Sequence, residues 1–404
     1  MIVSYRGRAV GRLQPGDSGG FRFSYDKDWA AGDHGFPISI SLPLHEPVDQ
    51  HKADAFFSNL LPEGPGRERL CRQLGLSPEN RYGILREIGR DCAGALVIGD
   101  SAAPDDSPMR QEFGPEELQR LLRDRPAIPV LDDGRPVRFS LAGSAGKWAV
   151  IHEGGRFSWP LGSTPSTHIL KVYDPQFSHG PFNEAFTGML AGKLGLSVAG
   201  AFPAADHLLI TRYDRGYEGG TIVRLHQEDG AQALGIPPFR KYQREGGIGL
   251  ARLIEIVREH SSQPLQDQRN LVTWQVANLL LGNSDGHLKN VSFLLEGATI
   301  RLAPFYDMVC TRNYDGIERS LALSIGQSSD PGHIGREHFG QWAREIGMRE
   351  SLILDELERI MSDLSENLED YAHECAARWG DNPVMDRIVR IVRTQIRRTR
   401  TLLA

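Results

Sequence analysis

The sequence predicts an α+β protein, and three observations predict it. Residues 1–24 alternate apolar and polar side chains between glycine-rich turns, the pattern of short strands. From Leu250 onward apolar residues recur at helical spacing, most clearly at Ile353, Leu357, Ile360, Met361, Leu364 and Leu368. A single stretch inside that helical region changes period. A helix-like pattern (Val272, Val276, Leu279, Leu280) stops at Gly282, and a polar loop fills 283–290. Two short apolar runs, 291–295 and 299–303, flank Glu296-Gly297 as a hairpin that returns the chain to Asp307.

Composition bounds the function classes. The 404 residues, 40% hydrophobic and 24% charged, suffice for two or three domains with a large core. A net charge of -6 gives no global electrostatic case for direct nucleic-acid binding. The four cysteines (Cys71, Cys92, Cys310, Cys375) lie far apart with no CxxC pair, which argues against a zinc site and fits a reducing cytoplasm. No signal-like or membrane-length apolar run occurs, so a soluble cytoplasmic protein is expected.

Along the chain, 38–42 alternates like a further strand and stops at Pro43. Two short helices are expected at 56–61 and 66–74, and 88–96 leads into another strand. The Pro-, Asp- and Ser-rich segment 101–112 reads as a linker, followed by a short helix over 114–124 with Pro115 in its first turn. The expected division is 1–104, a linker and helix at 105–127, a region of strand-like segments at 128–212, and a helical region at 213–404. The last segment is an amphipathic cationic helix. Its arginines Arg387, Arg390, Arg393, Arg397, Arg398 and Arg400 form either a solvated face offsetting acidic neighbours or a contact for DNA backbone or an acidic partner.

Phosphoryl transfer needs a carboxylate to receive the acceptor proton, an amide oxygen to hold a metal, and a second carboxylate on that metal. Asp285, Asn290 and Asp307 match those needs in type and spacing. Asp-x4-Asn alone is also what any polar turn supplies, so a kinase-like site and a structural turn stand level on this pattern. Upstream, the small residues Ala142, Gly143, Ser144, Ala145 and Gly146 would let backbone N–H groups approach phosphate, with Lys147 adding charge. This is not a Walker A loop, since Leu141 stands at its first glycine and Trp148 at its Ser/Thr; a plain β-turn is the alternative. Lys171 ends an alternating strand, where a lysine either snorkels or reaches nucleotide phosphates. Glu184, expected in the first turn of the next helix, suits either the helix dipole or a lysine partner. Segment 208–215 reads as a strand leaving into a charged connection.

Taken together, the motifs SISLPL (39–44), FSNLLP (57–62), IGRDCAGA (88–95), SLAG (140–143), THILK (167–171), RYDR (212–215), RLHQED (224–229), SDGHLKN (284–290) and PFYD (304–307) resemble the HipA family of bacterial kinase toxins over the full chain. The resemblance implies a two-lobed protein-kinase-like fold with an added N-terminal β-rich subdomain and a largely helical C-terminal lobe. It implies ATP and Mg²⁺, with Asp285 as base, Asn290 and Asp307 as metal ligands, and Lys171 on the phosphates under the 141–147 loop. Thr211, Arg212, Tyr213 and His287 fall at further nucleotide contacts, and Ser140 falls where the family phosphorylates itself. Implied partners are a HipB-like helix-turn-helix antitoxin, which would bring the chain to DNA indirectly, and an essential protein substrate; for the best-known member this is glutamyl-tRNA synthetase. The loop departs from the common family pattern, with Ala145 standing where many members have Gln. The rival reading is a binding component, a kinase-fold corepressor with weak or no catalysis; a small-molecule or lipid kinase is a third.

Overall fold

The computed structural model describes the 404 residues except 17–18, 103–108, 132–136, 138, 142–145, 246 and 298. Two compact units emerge: Met1–Asp174 with Leu209–Pro238 and Phe293–Thr299, and Pro175–Leu208 with Phe239–Ser292 and Ile300–Ala404. These bounds do not follow the division at 104, 127 and 212. Residues 209–238 join the first unit because Arg212, Arg215 and Arg224 converge there on Asp91.

In the first unit, strands Ile2–Tyr5, Arg8–Pro15, Phe21–Tyr25 and Val97–Gly99 form an antiparallel sheet, with Ile2–Tyr5 between Arg8–Pro15 and Val97–Gly99. Arg6 and Gly7, both with positive φ, make the tight turn of the first hairpin. The inward faces of these strands (Val3, Val10, Leu13, Phe21, Phe23) pack with Phe56 and Phe57 of helix Gln50–Ser58 and Ile84 of helix Arg81–Ile88. Stretch 38–42 is not a strand; it forms only one bridge, Ser39 to Leu42. Its alternation has another cause: Ser39, Ile40 and Ser41 turn polar groups onto the Glu228 carboxyl and the Gln232 carbonyl.

A second sheet of this unit runs in the order Met109–Phe113, Arg156–Leu161, Gly146–Glu153, His168–Val172 and Leu208–Thr211. The expected linker is therefore partly an edge strand. Met109–Phe113 pairs antiparallel with 157–161, and Phe113 stacks on Trp159 at 4.5 Å. Burying that aromatic pair outweighs the linker-like composition around it. Helix Pro115–Asp124 covers the sheet with Leu121 and Leu122, as the 114–124 pattern predicts.

The second unit is helical: Gly180–Lys193, Leu250–His260, Pro264–Leu281, Arg336–Glu345, Glu350–Trp379 and Pro383–Leu403. Proline in the first turn of three of them supplies the fixed φ of a helix start where its missing N–H is not needed. Ile388, Val392 and Ile396 of the last helix are buried, while Arg393 and Arg400 pair with Glu369 and Glu358. Those two pairs favour the offsetting-face reading of the cationic helix. Among the described residues no helix is long and apolar enough to cross a membrane.

Candidate active site

Helix Pro264–Leu281 delivers the polar loop. It ends at Gly282, which takes the left-handed conformation (φ 74°) and donates to the Asn278 carbonyl. Asn278 then templates the loop: its backbone carbonyl also accepts from Asn283 N–H at 2.9 Å, and its side-chain oxygen accepts from Asn283 Nδ2 at 2.9 Å. Asn283 Oδ1 in turn accepts from Asp285 N–H at 3.0 Å. At Gly286 the backbone passes so close that a Cβ would lie 2.4 Å from Asn278 Nδ2, so any larger residue would displace the amide that templates the loop. Ser284 anchors the other side, its N–H donating to Thr311 Oγ1 at 2.8 Å and its Oγ to the Glu318 carbonyl at 2.6 Å.

The loop closes on itself. His287 N–H and Asn290 Nδ2 both donate to the Asp285 carbonyl, at 2.8 and 2.9 Å. Of residues 283–290, Asp285 alone is exposed and the other seven are buried. A buried, fully braced loop that presents one carboxylate to solvent is costly architecture for a turn and suits a base.

Asp307 is fixed from both sides. Phe305 stacks on Trp274 at 5.8 Å and exchanges backbone hydrogen bonds with Ser197 and Ala199. Cys310 is clamped by Asn183, whose amide accepts from Cys310 N–H at 2.8 Å and donates to its carbonyl at 3.0 Å. Between them Asp307 adopts a left-handed φ of 59°, a conformation non-glycine residues hold only when neighbours enforce it. The Tyr306 hydroxyl donates to the Lys289 carbonyl at 2.5 Å and bonds Ser292 Oγ at 2.8 Å, which ties the residue before Asp307 to the turn that ends at Asn290. The Asn290 amide nitrogen donates to the Asp285 carbonyl, which leaves the amide oxygen as the end of this side chain with a donor's lone pairs. An amide oxygen and a carboxylate are hard donors of the kind Mg²⁺ takes alongside phosphate and water, so this donor set fits that ion. Among the described residues no group of three His, Cys, Asp or Glu is placed to hold a metal by itself.

In the first unit, Lys171 is buried (4% exposed) and does not snorkel; its ammonium lies 5.0 Å from the Tyr173 ring centroid, and it pairs in register with Lys147. Gly146 sits opposite Val172, where a Cβ would come within 2.7 Å of a methyl group. Ala142, Gly143, Ser144 and Ala145 lie outside the described residues. Glu184 is buried, but helix Gly180–Lys193 begins a turn earlier than expected, so Glu184 falls past its first turn and the dipole explanation lapses.

The sequence models that match the chain are the HipA N-terminal domain over residues 1–99 and the HipA-like C-terminal domain over residues 139–371. The chain belongs to the HipA family. It is 32% identical to the serine/threonine-protein kinase toxin HipA of Shewanella oneidensis over 84% of this chain and 81% of that one. It is also 32% identical to the kinase homologue Y4mE of Sinorhizobium fredii, over 90% of each. The HipA structure from the Shewanella oneidensis MR-1 HipA, HipB and operator DNA complex superposes with a TM-score of 0.84 at 28% identity, covering 98% of this chain and 95% of that one. The two-lobed kinase-like fold is thereby the chain's own, and the chain is a HipA-type serine/threonine kinase.

In this HipA-type chain Ser140 is 1% exposed; its Oγ donates to the Leu60 carbonyl at 2.5 Å and its N–H to the Asp91 carbonyl at 3.0 Å. Arg212 is equally enclosed. Its guanidinium bonds Asp214, Asp91, Ser166 Oγ and the Cys92 carbonyl, which commits the side chain to structure rather than to nucleotide. Arg215 and Arg224 reach the same Asp91 at 2.8 and 3.1 Å. Burial alone would raise the Asp91 carboxyl, but Arg215, Arg212 and Arg224 together hold it well below the usual carboxylate range. The neighbouring Tyr213 hydroxyl donates to Gln227 at 2.8 Å, and Thr211 ends the strand. Two residues escaped the sequence reading. Asn278 looks like any polar helix residue, and Tyr242, whose hydroxyl donates to Asp285 Oδ1 at 2.6 Å, sits 43 positions upstream.

Proposed function

We propose that this kinase transfers the γ-phosphate of ATP to a serine or threonine hydroxyl, with Asp285 receiving the acceptor proton. Asn290 and Asp307 would hold Mg²⁺, which when bound neutralises charge on the β- and γ-phosphates. Lys171 and the 141–147 stretch would hold the phosphates, with Thr211, Tyr213 and His287 as further nucleotide contacts. The observation that supports this reading is the exposed Asp285 carboxylate in an otherwise buried loop, whose backbone carbonyl holds the Asn290 amide, with Tyr306, the neighbour of Asp307, bonded to the Lys289 carbonyl. The donor types suit the roles: a carboxylate at the surface takes a proton, and amide and carboxylate oxygens serve a hard cation.

The substrate class is a protein essential for growth, with glutamyl-tRNA synthetase the first to try, and the partner is a HipB-like antitoxin that carries the complex to operator DNA. Support for that partner is the likeness to the chain solved with HipB and operator DNA. Ser140 is the proposed site of self-phosphorylation. Its burial means that Ser140 must leave its seat to be modified, and two added charges would keep it out. Intact mass after incubation with ATP and Mg²⁺, with peptide mapping and Asp285→Ala alongside, tests both claims. One phosphate at Ser140, absent in the variant, is expected. A phosphate that persists in Asp285→Ala would remove Asp285 from its role, and a phosphate elsewhere would remove Ser140. No phosphate on either, with ATP bound, would favour the corepressor reading.

A further inference from the structure

The base has a companion outside the catalytic loop. Tyr242 donates its phenolic hydrogen to Asp285 Oδ1 at 2.6 Å, and its ring meets the His287 ring edge-to-face at 5.1 Å. We infer that Tyr242 is the positioning residue that holds Asp285 in the rotamer from which it meets the acceptor hydroxyl. This rests on the reading of Asp285 as base.

Asp285 needs such a device. Its backbone is braced by Asn283, His287 and Asn290, but its side chain is the exposed one, and an exposed aspartate samples several rotamers unless something fixes it. A base displaced by an ångström loses much of its rate, because proton transfer needs heavy atoms within hydrogen-bond reach. The phenol fills one of the roughly four lone-pair positions of a carboxylate, so the second oxygen stays for the acceptor.

Tyr242 is itself rigidly mounted. On one side the Lys241 carbonyl accepts from Leu288 N–H of the catalytic loop at 3.3 Å. On the other, Gln243 N–H donates to the Ala322 carbonyl at 3.0 Å and its side-chain oxygen accepts from Ser324 N–H at 2.8 Å. The Tyr242 carbonyl accepts from Gly247 N–H at 3.1 Å, an approach so tight that a Cβ at 247 would stand 2.2 Å from that oxygen. The Arg244 guanidinium and Lys241 ammonium lie 5.0 and 5.4 Å from the ring centroid, flanking it with positive charge. A surface tyrosine with no task would not be held by two backbone anchors, a glycine contact, two cations and a histidine ring.

The test is steady-state ADP release from ATP and Mg²⁺ by the full chain, comparing wild type, Tyr242→Phe, Asp285→Asn and the double variant, with melting temperatures recorded. A hydrogen bond to a charged group predicts about a tenfold or larger fall in kcat for Tyr242→Phe, with the KM for ATP within about twofold. In the Asp285→Asn background the same substitution changes nothing further, because it acts through the carboxylate. Site-specific 3-fluorotyrosine at 242, which keeps the donor near neutral pH, restores the rate. Equal or faster turnover by Tyr242→Phe overturns the inference, the latter showing that the phenol plugs the base. A loss that is additive with Asp285→Asn, or that follows a lowered melting temperature, also overturns it and makes Tyr242 structural. If Asp285→Asn retains full turnover, it is the base assignment that fails.

Discussion

Replacing Asp91 by alanine removes the carboxylate that three buried arginines share. In the wild-type chain it accepts from Arg215, Arg212 and Arg224 and from Ser166 Oγ at 2.6 Å, and its side chain is 2% exposed. Arg212 and Arg215 retain Asp214 after the change, at 2.7 and 3.0 Å. Arg224 keeps only the carbonyls of Ser163 and Arg90, so it becomes a nearly enclosed charge without a counter-ion. Breaking a buried pair from one side costs about 3–5 kcal/mol. For a unit of this size each kcal/mol lowers the melting temperature by about 2–4 °C, so the expected fall is about 6–20 °C. Calorimetry of the full chain reads it as an early endotherm of the first unit, with hydrogen exchange rising across 88–96 and 209–228. Asp91→Ala combined with Arg224→Ala should recover some of the loss, because the stranded charge is gone. A fall under about 3 °C, or a double variant worse than the sum of its single changes, would refute the account of a shared buried counter-ion.

Single contacts give further predictions. Asp307→Asn keeps the left-handed turn and the melting temperature but abolishes Mg²⁺-dependent ATP turnover, whereas Asp307→Ala also loses about 1 kcal/mol in a urea titration because alanine disfavours that turn. Gly286→Ala forces the Asn278 amide aside and lowers both turnover and melting temperature, while Gly192→Ala, with open space around its Cβ, leaves turnover unchanged. Burial raises the Glu228 carboxyl to about 8, against 4.5 in the unfolded chain. The folded state therefore holds the extra proton, and stability contributed below pH 4.5 is lost as pH rises through 8, by at most about 1.4 kcal/mol per unit. Glu228→Gln should flatten that alkaline decline in melting temperature measured across the window; parallel curves would refute it.

What the sequence makes legible is local. Gly282 after an apolar helix, a polar loop, a short hairpin and a terminal acid are contiguous signals, and together they locate the Asp285, Asn290 and Asp307 neighbourhood without a contact map. Proline near helix starts and period-2 strands are equally contiguous. The residues that escaped depend on distant partners. Ser39 and Ser41 alternate with apolar neighbours because their hydroxyls serve the Glu228 carboxyl and the Gln232 carbonyl, some 190 positions away, not because a sheet lies beside them. Met109–Phe113 hides in linker-like composition because its partner strand starts at Arg156. Arg212 suggests a nucleotide contact until Asp91 and Asp214 are seen to claim its guanidinium. Tyr242 carries no local mark at all.

The left-handed φ at Asp307 narrows what heredity can put there. Beside glycine, only aspartate and asparagine settle readily into that turn, and their codons differ by a single base. On the proposed role of Asp307, a lineage carrying this gene therefore stands one point mutation from a chain of the same shape and stability with one metal-holding charge fewer. For a cell under pressure to disarm its own growth inhibitor, that position offers a way to silence the chemistry while every surface used for assembly stays in place.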